Sequence, residues 1–177
     1  GDQVASFTID SLPNGGYVVV SNNWDSPTYG ANVGAVTFST GTGIAGAVSS
    51  ANSLIGSSPN DQLGNLGITV LTNGNYVVGS PQWSVPSGAA NVGAVTWCSG
   101  TTGRTGLVLS TNSLVGVTIN DSVSSYGITA LSNGNYVVIS SDWSTPTGTA
   151  SVGAITWCNG TTGTTGTVTD ANSLIGT

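Results

Sequence analysis

The sequence predicts an all-β protein made of three tandem repeats, each a sheet of four short antiparallel strands. A phrase of the form Asn-Gly-x-Tyr-Val-Val occurs three times, beginning at Asn14, Asn73 and Asn133. The copies lie 59 and 60 residues apart (73 − 14 and 133 − 73), which is the spacing of a repeat array. Apolar residues do not recur with the helical period, and Gly, Thr and Val dominate. Each repeat is therefore expected to be a small β-sheet.

Further markers recur in every repeat and define its extent. A Trp lies seven residues after each Tyr, a Val-Gly-Ala run follows, and Asn-Ser-Leu ends the repeat. These markers place the repeats at residues 1–57, 58–117 and 118–177. The segment that should follow the third Asn-Ser-Leu finds its counterpart at residues 2–12, so the sequence has the pattern of whole repeats excerpted from a longer array.

Four strands are predicted in each repeat, and the second repeat illustrates them. The first strand, 67–71, is joined to the second, 76–80, by Asn73-Gly74, a pair typical of tight hairpins because both residues tolerate positive φ. The third strand covers 93–98, and a Gly-rich turn leads into the fourth, 107–110. The Asn-Ser-Leu segment is then expected to carry the chain to the next repeat.

These strands are apolar on both faces, which predicts that the sheets stack against neighbours on each side. An isolated four-stranded sheet of this size would leave its apolar face uncovered. The blades of a β-propeller meet this condition, and a three-sided β-prism with one sheet per repeat is the alternative. Phe38, Trp97 and Trp157 occupy strand positions that we expect in the core. Three blades do not close a propeller, so a homo-oligomer or a longer repeat array is expected.

The composition excludes several classes of partner. The net charge is −6, Arg104 is the only base, and charged residues make up 5% of the chain against 38% apolar residues. A single cation cannot neutralise a phosphate backbone, so we expect no nucleic acid partner. No apolar run approaches the roughly 20 residues that insertion across a membrane requires. A Lys-free sequence rich in Ser, Thr, Asn and Gly, beginning as a mature product without a signal peptide, favours an extracellular or cell-surface location.

The sequence offers few groups for catalysis. It contains no His, Lys or Glu, so a Ser or Cys nucleophile would lack a conventional base, and we expect no enzymatic activity and no cofactor. Cys98 and Cys158 occupy equivalent positions and are predicted to be separate, partly buried thiols without a metal site. Asp61 and Asp121 recur at the links between repeats, where they either shape a turn or bind an ion or a sugar hydroxyl.

Three Trp residues in loops are the candidate ligand-binding groups. Trp24, Trp83 and Trp143 lie in segments rich in Ser, Pro and Gly, and Asp25 and Asp142 are neighbours of two of them. Loop aromatics beside polar groups are typical of glycan sites, because the apolar face of a sugar stacks on the ring. The alternative is that each Trp fills the end of the core between sheets.

The motifs Asn-Gly-Asn-Tyr-Val-Val, Val-Gly-Ala-Val-Thr-Trp and Asn-Ser-Leu-x-Gly together resemble a repeat of large secreted bacterial surface proteins of the adhesin and filamentous-haemagglutinin kind. More distantly, they are similar to the blades of integrin-type (FG-GAP) propellers. Those blades carry an Asp-rich calcium loop, whereas residues 12–16, 71–75 and 131–135 contain no Asp, so calcium binding is not expected. The resemblance implies a structural or adhesive module; a lectin and a self-assembling ring or fibre subunit are the alternatives.

Overall fold

The computed structural model describes residues 2–176, and within them it consists of strands and turns without a helix. The described strands are β1 Ile9–Ser11, β2 Tyr17–Ser21, β3 Ala35–Ser39, β4 Ser53–Ile55, β5 Ile68–Val70, β6 Tyr76–Ser80, β7 Ala94–Cys98, β8 Gly106–Leu107, β9 Leu114–Val115, β10 Gly127–Ala130, β11 Tyr136–Ser140, β12 Ala154–Cys158, β13 Gly166–Thr167 and β14 Ser173–Ile175.

The strands form three sheets, one for each repeat. Their orders are β1-β2-β3-β4-β8, β5-β6-β7-β9-β13 and β10-β11-β12-β14, and none of the three closes into a barrel. In every sheet the four strands that belong to one repeat run antiparallel. The prediction of an all-β fold built from three four-stranded repeats is confirmed.

The predicted fourth strand, 107–110, is wrong in its place and its partner. β8 comprises Gly106 and Leu107, and it pairs in parallel with β4 of the preceding repeat. β13 pairs in the same way with β9. The fourth antiparallel strand of each sheet is the Asn-Ser-Leu segment that was expected to be a linker, so that Ala94 of β7 faces Val115 of β9. Each repeat thereby satisfies the open backbone edge of the sheet before it.

The Asn-Gly hairpins join the first and second strands as predicted, but with a different turn. The amide of Gly74 donates to the carbonyl oxygen of Leu71 at 2.9 Å, and Gly74 has a φ of +86° while Asn73 is not left-handed. This is a turn followed by one left-handed glycine, rather than a two-residue turn with both residues at positive φ. Asn73 is needed for its side chain instead, because its Oδ1 accepts the amide of Asn75 at 3.1 Å.

The three sheets stack face to face in chain order. The described core clusters join the first sheet to the second and the second to the third, and this succession favours a row of blades over a three-sided prism. All five residues of β6, an inner strand of the middle sheet, are buried, so this sheet is covered on both faces as predicted. Across the first boundary the cluster includes Val18, Val20, Val36 and Leu54 on one side and Tyr76, Val78, Ala94 and Cys98 on the other.

The prediction that Trp157 belongs to the core is wrong. Phe38 and Trp97 are partly buried against the next repeat, whereas the side chain of Trp157 is 54% exposed. The reason is its place in the stack: Trp157 lies on the outer face of the third sheet, and no other sheet of residues 2–176 covers that face.

Each covered aromatic side chain lies on a glycine of the next repeat. A Cβ built on Gly163 would lie 2.8 Å from Cβ of Trp97, and one built on Gly103 would lie 2.5 Å from Cβ of Phe38. Both glycines have positive φ, +79° and +66°. Gly43 holds this position in the first repeat, where no described atom lies within 4 Å of the same Cβ. Side-chain atoms are therefore excluded only where two repeats meet.

We expect Gly163→Ala to lower the free energy of unfolding more than Gly43→Ala does. Both substitutions place Ala at positive φ, which costs about 1–2 kcal/mol. Only Gly163→Ala also forces a methyl group into Trp97, which adds roughly 1–3 kcal/mol. Urea denaturation of the two variants in dilute solution, followed by circular dichroism, measures the difference. Equal losses at the two positions would contradict this account of the inter-repeat contact.

Candidate functional site

The three candidate Trp residues are buried. Trp24, Trp83 and Trp143 are exposed by only 4%, 1% and 1%, and each belongs to a different hydrophobic cluster. The indole rings are packed on protein over most of their surface, and those of Trp24 and Trp143 also border surface cavities. This is the position expected of a residue that fills the end of the core. Stacking of a sugar on these rings would require the loops to open first.

The two acids beside them do not converge on a common site. Oδ1 of Asp25 accepts the amide of Asn32 at 2.8 Å. Ser84 and Ser144 hold the position of Asp25 in the other repeats, and their hydroxyls accept the equivalent amides at 3.1 Å each. The Asp25 side chain therefore stabilises its own loop by accepting a backbone amide, as those serines do. Asp142 is exposed and lies one position earlier, on the outside of the third repeat.

Two buried aspartates hold the links between repeats. Oδ2 of Asp61 accepts the amides of Ser57 and Ser58, at the end of the first repeat and the start of the second, at 2.8 and 2.9 Å, and Oδ1 accepts the amide of Ser84 in the second repeat at 2.9 Å. Asp121 makes the same three bonds at 2.7–3.0 Å one repeat later. Burial raises the pKa of Asp61, and its amide bonds act in the opposite direction. These carboxylates shape turns, the first of their two predicted roles.

Cys98 and Cys158 are separate thiols, as predicted, but they are fully rather than partly buried. In the pairing of the strands, Cys98 lies opposite Tyr76, and Cys158 lies opposite Tyr136. Loss of solvent is the main cause that raises the pKa of Cys98 to about 12 and the pKa of Cys158 to about 11. A thiol with so high a pKa holds little thiolate at neutral pH and is a poor nucleophile.

We expect neither thiol to react with a disulfide reagent at pH 8 until the protein unfolds, when both should react. The folded-state pKa values lie above the ordinary 9.0, so the stability from the protonated thiols is complete below about pH 9 and is lost as the pH rises through 11 and 12. The double variant Cys98→Ser/Cys158→Ser copies Ser39 of the first repeat and should lose less stability over that range. Rapid labelling of both thiols in the native protein would contradict the prediction.

The boundary between repeats concentrates the specific polar contacts. Trp97 donates its indole N–H to the carbonyl oxygen of Gly160 at 2.9 Å, and Nδ2 of Asn73 donates to the same oxygen at 2.8 Å. One boundary earlier, Nδ2 of Asn14 donates to the carbonyl oxygen of Gly100 at 2.7 Å. Side chains of one repeat thus recognise the backbone of the next, and the contact needs no charged partner.

The linker after each repeat adds backbone bonds to the repeat it leaves. The amide of Leu63 donates to the carbonyl oxygen of Val33 at 3.1 Å, and the amide of Val123 donates to that of Val92 at 3.0 Å. Leu63 and Val123 are fully buried, so the linker also fills the core between two sheets. A boundary therefore combines a parallel strand, an aromatic ring on glycine, an Asn side chain and a buried linker residue.

Two outer surfaces lack this cover. On the third sheet Ile155 and Leu174 are exposed by 44% and 74%, whereas Val36 and Leu54, at the same positions of the first repeat, are exposed by 1% and 0%. On the first sheet a cavity of about 430 Å³ lies along the outer face; it is lined by Tyr17, Val19, Trp24, Thr37, Ile44, Val48 and others. These two surfaces are the candidate functional site, and the chemistry they offer is apolar contact and strand pairing.

Among residues 2–176, no three His, Cys, Asp or Glu side chains lie close enough together to hold a metal ion. Nor does that part of the chain contain a helix long and apolar enough to cross a membrane.

Fold and contacts together define a repeat protein of stacked β-sheets. Each sheet is joined to the next by a short parallel strand, β8 or β13, that the following repeat contributes; we call these the lent strands. The chain belongs to the family described as a repeat of unknown function (DUF5650), whose sequence pattern matches residues 11–65, 70–125 and 130–177. The three matches confirm the number of repeats. No curated protein matches the chain. The family description names no activity, so the resemblance to adhesin repeats stays a prediction.

Proposed function

We propose that the chain is a non-catalytic structural repeat module of an extracellular bacterial protein, in which successive repeats build a continuous stack of sheets at the cell surface. One observation carries the proposal: each repeat completes the sheet of the repeat before it and covers its apolar face. A module of this kind acts as a spacer or scaffold, and its adhesive role is to hold outer loops at defined intervals along the stack.

The free energy of such a module resides between repeats. A large apolar side chain contributes about 1.5–3 kcal/mol when it is fully buried. Removal of the second repeat would uncover Val36 and Leu54 of the first, together with the outer edge of β4. Stability in stacked repeats is a sum of repeat and nearest-neighbour contributions, and small repeats depend on the second. A stack therefore gains stability with every repeat that joins it.

The polar groups also support a structural role. The buried carboxylates accept backbone amides, the two thiols are buried, and the loop Trp rings are packed. A catalytic centre would bring acids, bases or nucleophiles together in one cleft. The surface is instead dominated by hydroxyl and amide side chains, with charged residues at 5% of the chain, as suits the extracellular location that the composition favours.

We expect Trp97→Ala to destabilise the whole chain and Trp157→Ala, its match at the same repeat position, to have little effect. Trp97 packs on the third repeat and donates a hydrogen bond across the boundary, so its loss should cost about 2–4 kcal/mol. Trp157 is largely exposed, and its loss should change the free energy of unfolding by less than about 0.5 kcal/mol. Urea unfolding under dilute conditions, followed by circular dichroism, measures both values.

The shape of the transition is the second readout. A single transition that moves as a whole in Trp97→Ala supports a coupled stack. Separate transitions for the repeats, or equal effects of the two substitutions, would show that the repeats unfold independently, and the proposal would fail.

A further inference from the structure

We propose that copies of this chain join head to tail, with residues 46–48 of one copy adding as a parallel strand to β14 of another. The inference rests on the proposed function and specifies its partner as a second copy of the same chain. The two surfaces involved are the outer face of the first sheet with residues 4 and 41–48, here the head, and the outer face of the third sheet with β14, here the tail.

The strand edge of the tail matches the strand of the head in register. β4 pairs Leu54 with Gly106, and β9 pairs Leu114 with Gly166. The same position in the third repeat is Leu174 of β14, whose outer edge has no partner strand within residues 2–176. The corresponding glycine of the first repeat is Gly46, which is exposed and pairs with no described strand.

The pairing of β14 with the head then follows from the internal boundaries. Leu174 would face Gly46, and Ile175 would face Ala47, as Ile55 faces Leu107. The amide of Val48 would donate to the carbonyl oxygen of Ile175. Its equivalents at the two internal boundaries, the amides of Val108 and Val168, donate to Ile55 and Val115 at 3.1 and 3.0 Å.

The exposed Trp157 of the tail matches two glycines of the head. Trp97 packs against Gly163 and donates to the carbonyl oxygen of Gly160. The equivalent glycines of the first repeat are Gly43 and Gly41, both exposed. The space beside Gly43 is open among the described residues, as the ring of Trp157 requires.

The contact that the linker residues Leu63 and Val123 make at the internal boundaries also has an unoccupied counterpart at each end of the chain. Val4 is 61% exposed, whereas Leu63 and Val123, its equivalents at the internal boundaries, are fully buried. A Cβ on Gly93 would collide with the backbone of Val123, yet at the same position in the third repeat, Gly153, the nearest atoms belong to Ser140 and Ser141 of its own repeat and lie at 3.5 Å or more. The place that Val4 of a second copy would fill is therefore open.

The strands at the centre of this contact are uncharged. β2, β3, β11, β12 and β14 contain no charged residue. Asp2 lines the head cavity and Asp170 lies in a cavity with Ile175 near the tail, so these carboxylates and the net charge of −6 repel between copies, and salt screens this repulsion. The contact is heterologous, so its repetition gives a ring if the rotation closes and a filament if it does not.

The test uses one variant for each end and one control. Leu174→Asp disables the tail, and the double variant Val4→Asp/Gly43→Ala disables the head. These positions are exposed in a single copy, and circular dichroism checks that each variant is folded, because Gly43→Ala also places Ala at positive φ. Ile119→Asp is the matched control, because Ile119 is 60% exposed in the link between the second and third repeats and lies on neither outer sheet.

Light scattering after gel filtration should give a mass for the wild type that rises with protein concentration. Each end variant should keep the mass of one chain, with association weakened at least about 100-fold because a carboxylate would be buried without a partner. Ile119→Asp should associate like the wild type. A mixture of the two end variants should form a species of twice the mass of one chain and nothing larger, since one intact head meets one intact tail.

A wild type that stays at the mass of one chain across its soluble range would overturn the inference. So would association that survives both end variants, or a mixture that forms no dimer. If the wild type is monomeric while Trp97→Ala still destabilises the chain far more than Trp157→Ala, only the head-to-tail contact fails. If those two Trp variants behave alike, the proposed function fails first.

Discussion

The parallel strand that each repeat lends to the sheet before it is the interaction on which the rest of the structure depends. β8 and β13 are only two residues long, yet they satisfy the outer edges of β4 and β9 and carry Val108 and Val168 into the core. A four-stranded sheet with two apolar faces is not stable alone. Lending a strand joins backbone pairing and face-to-face packing in one contact, so a sheet and its neighbour form together.

Neutral hydrogen bonds join the strands and the repeats, and the carboxylates of Asp61 and Asp121 at the links are the buried charged acceptors among the described residues. A Thr and a Ser hydroxyl pair across the third and fourth strands of every repeat, with oxygen–oxygen distances of 2.7 Å for Thr37 and Ser53 and 2.7 and 2.8 Å for the later pairs. Asn side chains and one indole bind backbone carbonyl oxygens across the boundaries. Neutral partners avoid the cost of burying charge, and a chain with 5% charged residues can therefore form a close-packed stack.

Strong local patterns made part of this structure predictable. The number of repeats, the all-β class and the second strand at 76–80 follow from the repeated phrase, and the middle sheet is buried on both faces as its residues indicate. The lent strand was missed because the two residues Gly106 and Leu107 are too few to show the alternating pattern of a β-strand. Its partner strand also belongs to another repeat. The position of Trp157 was predicted wrongly because the sequence around it is nearly the same as that around Trp97, whereas its exposure depends on its place in the stack. The burial of the loop Trp residues depends likewise on contacts between sheets, which local sequence does not encode.

Native-state hydrogen exchange by NMR tests the central claim most directly, that the lent strands make the repeats one cooperative unit. The probes are the amides of Val108 and Val168, which donate across the two boundaries to Ile55 and Val115. If the account is correct, these amides exchange only with global unfolding, with the same opening free energy as the amides at the centres of β6 and β11. Exchange of Val108 and Val168 at a much lower opening free energy, while the sheet centres stay protected, would contradict it.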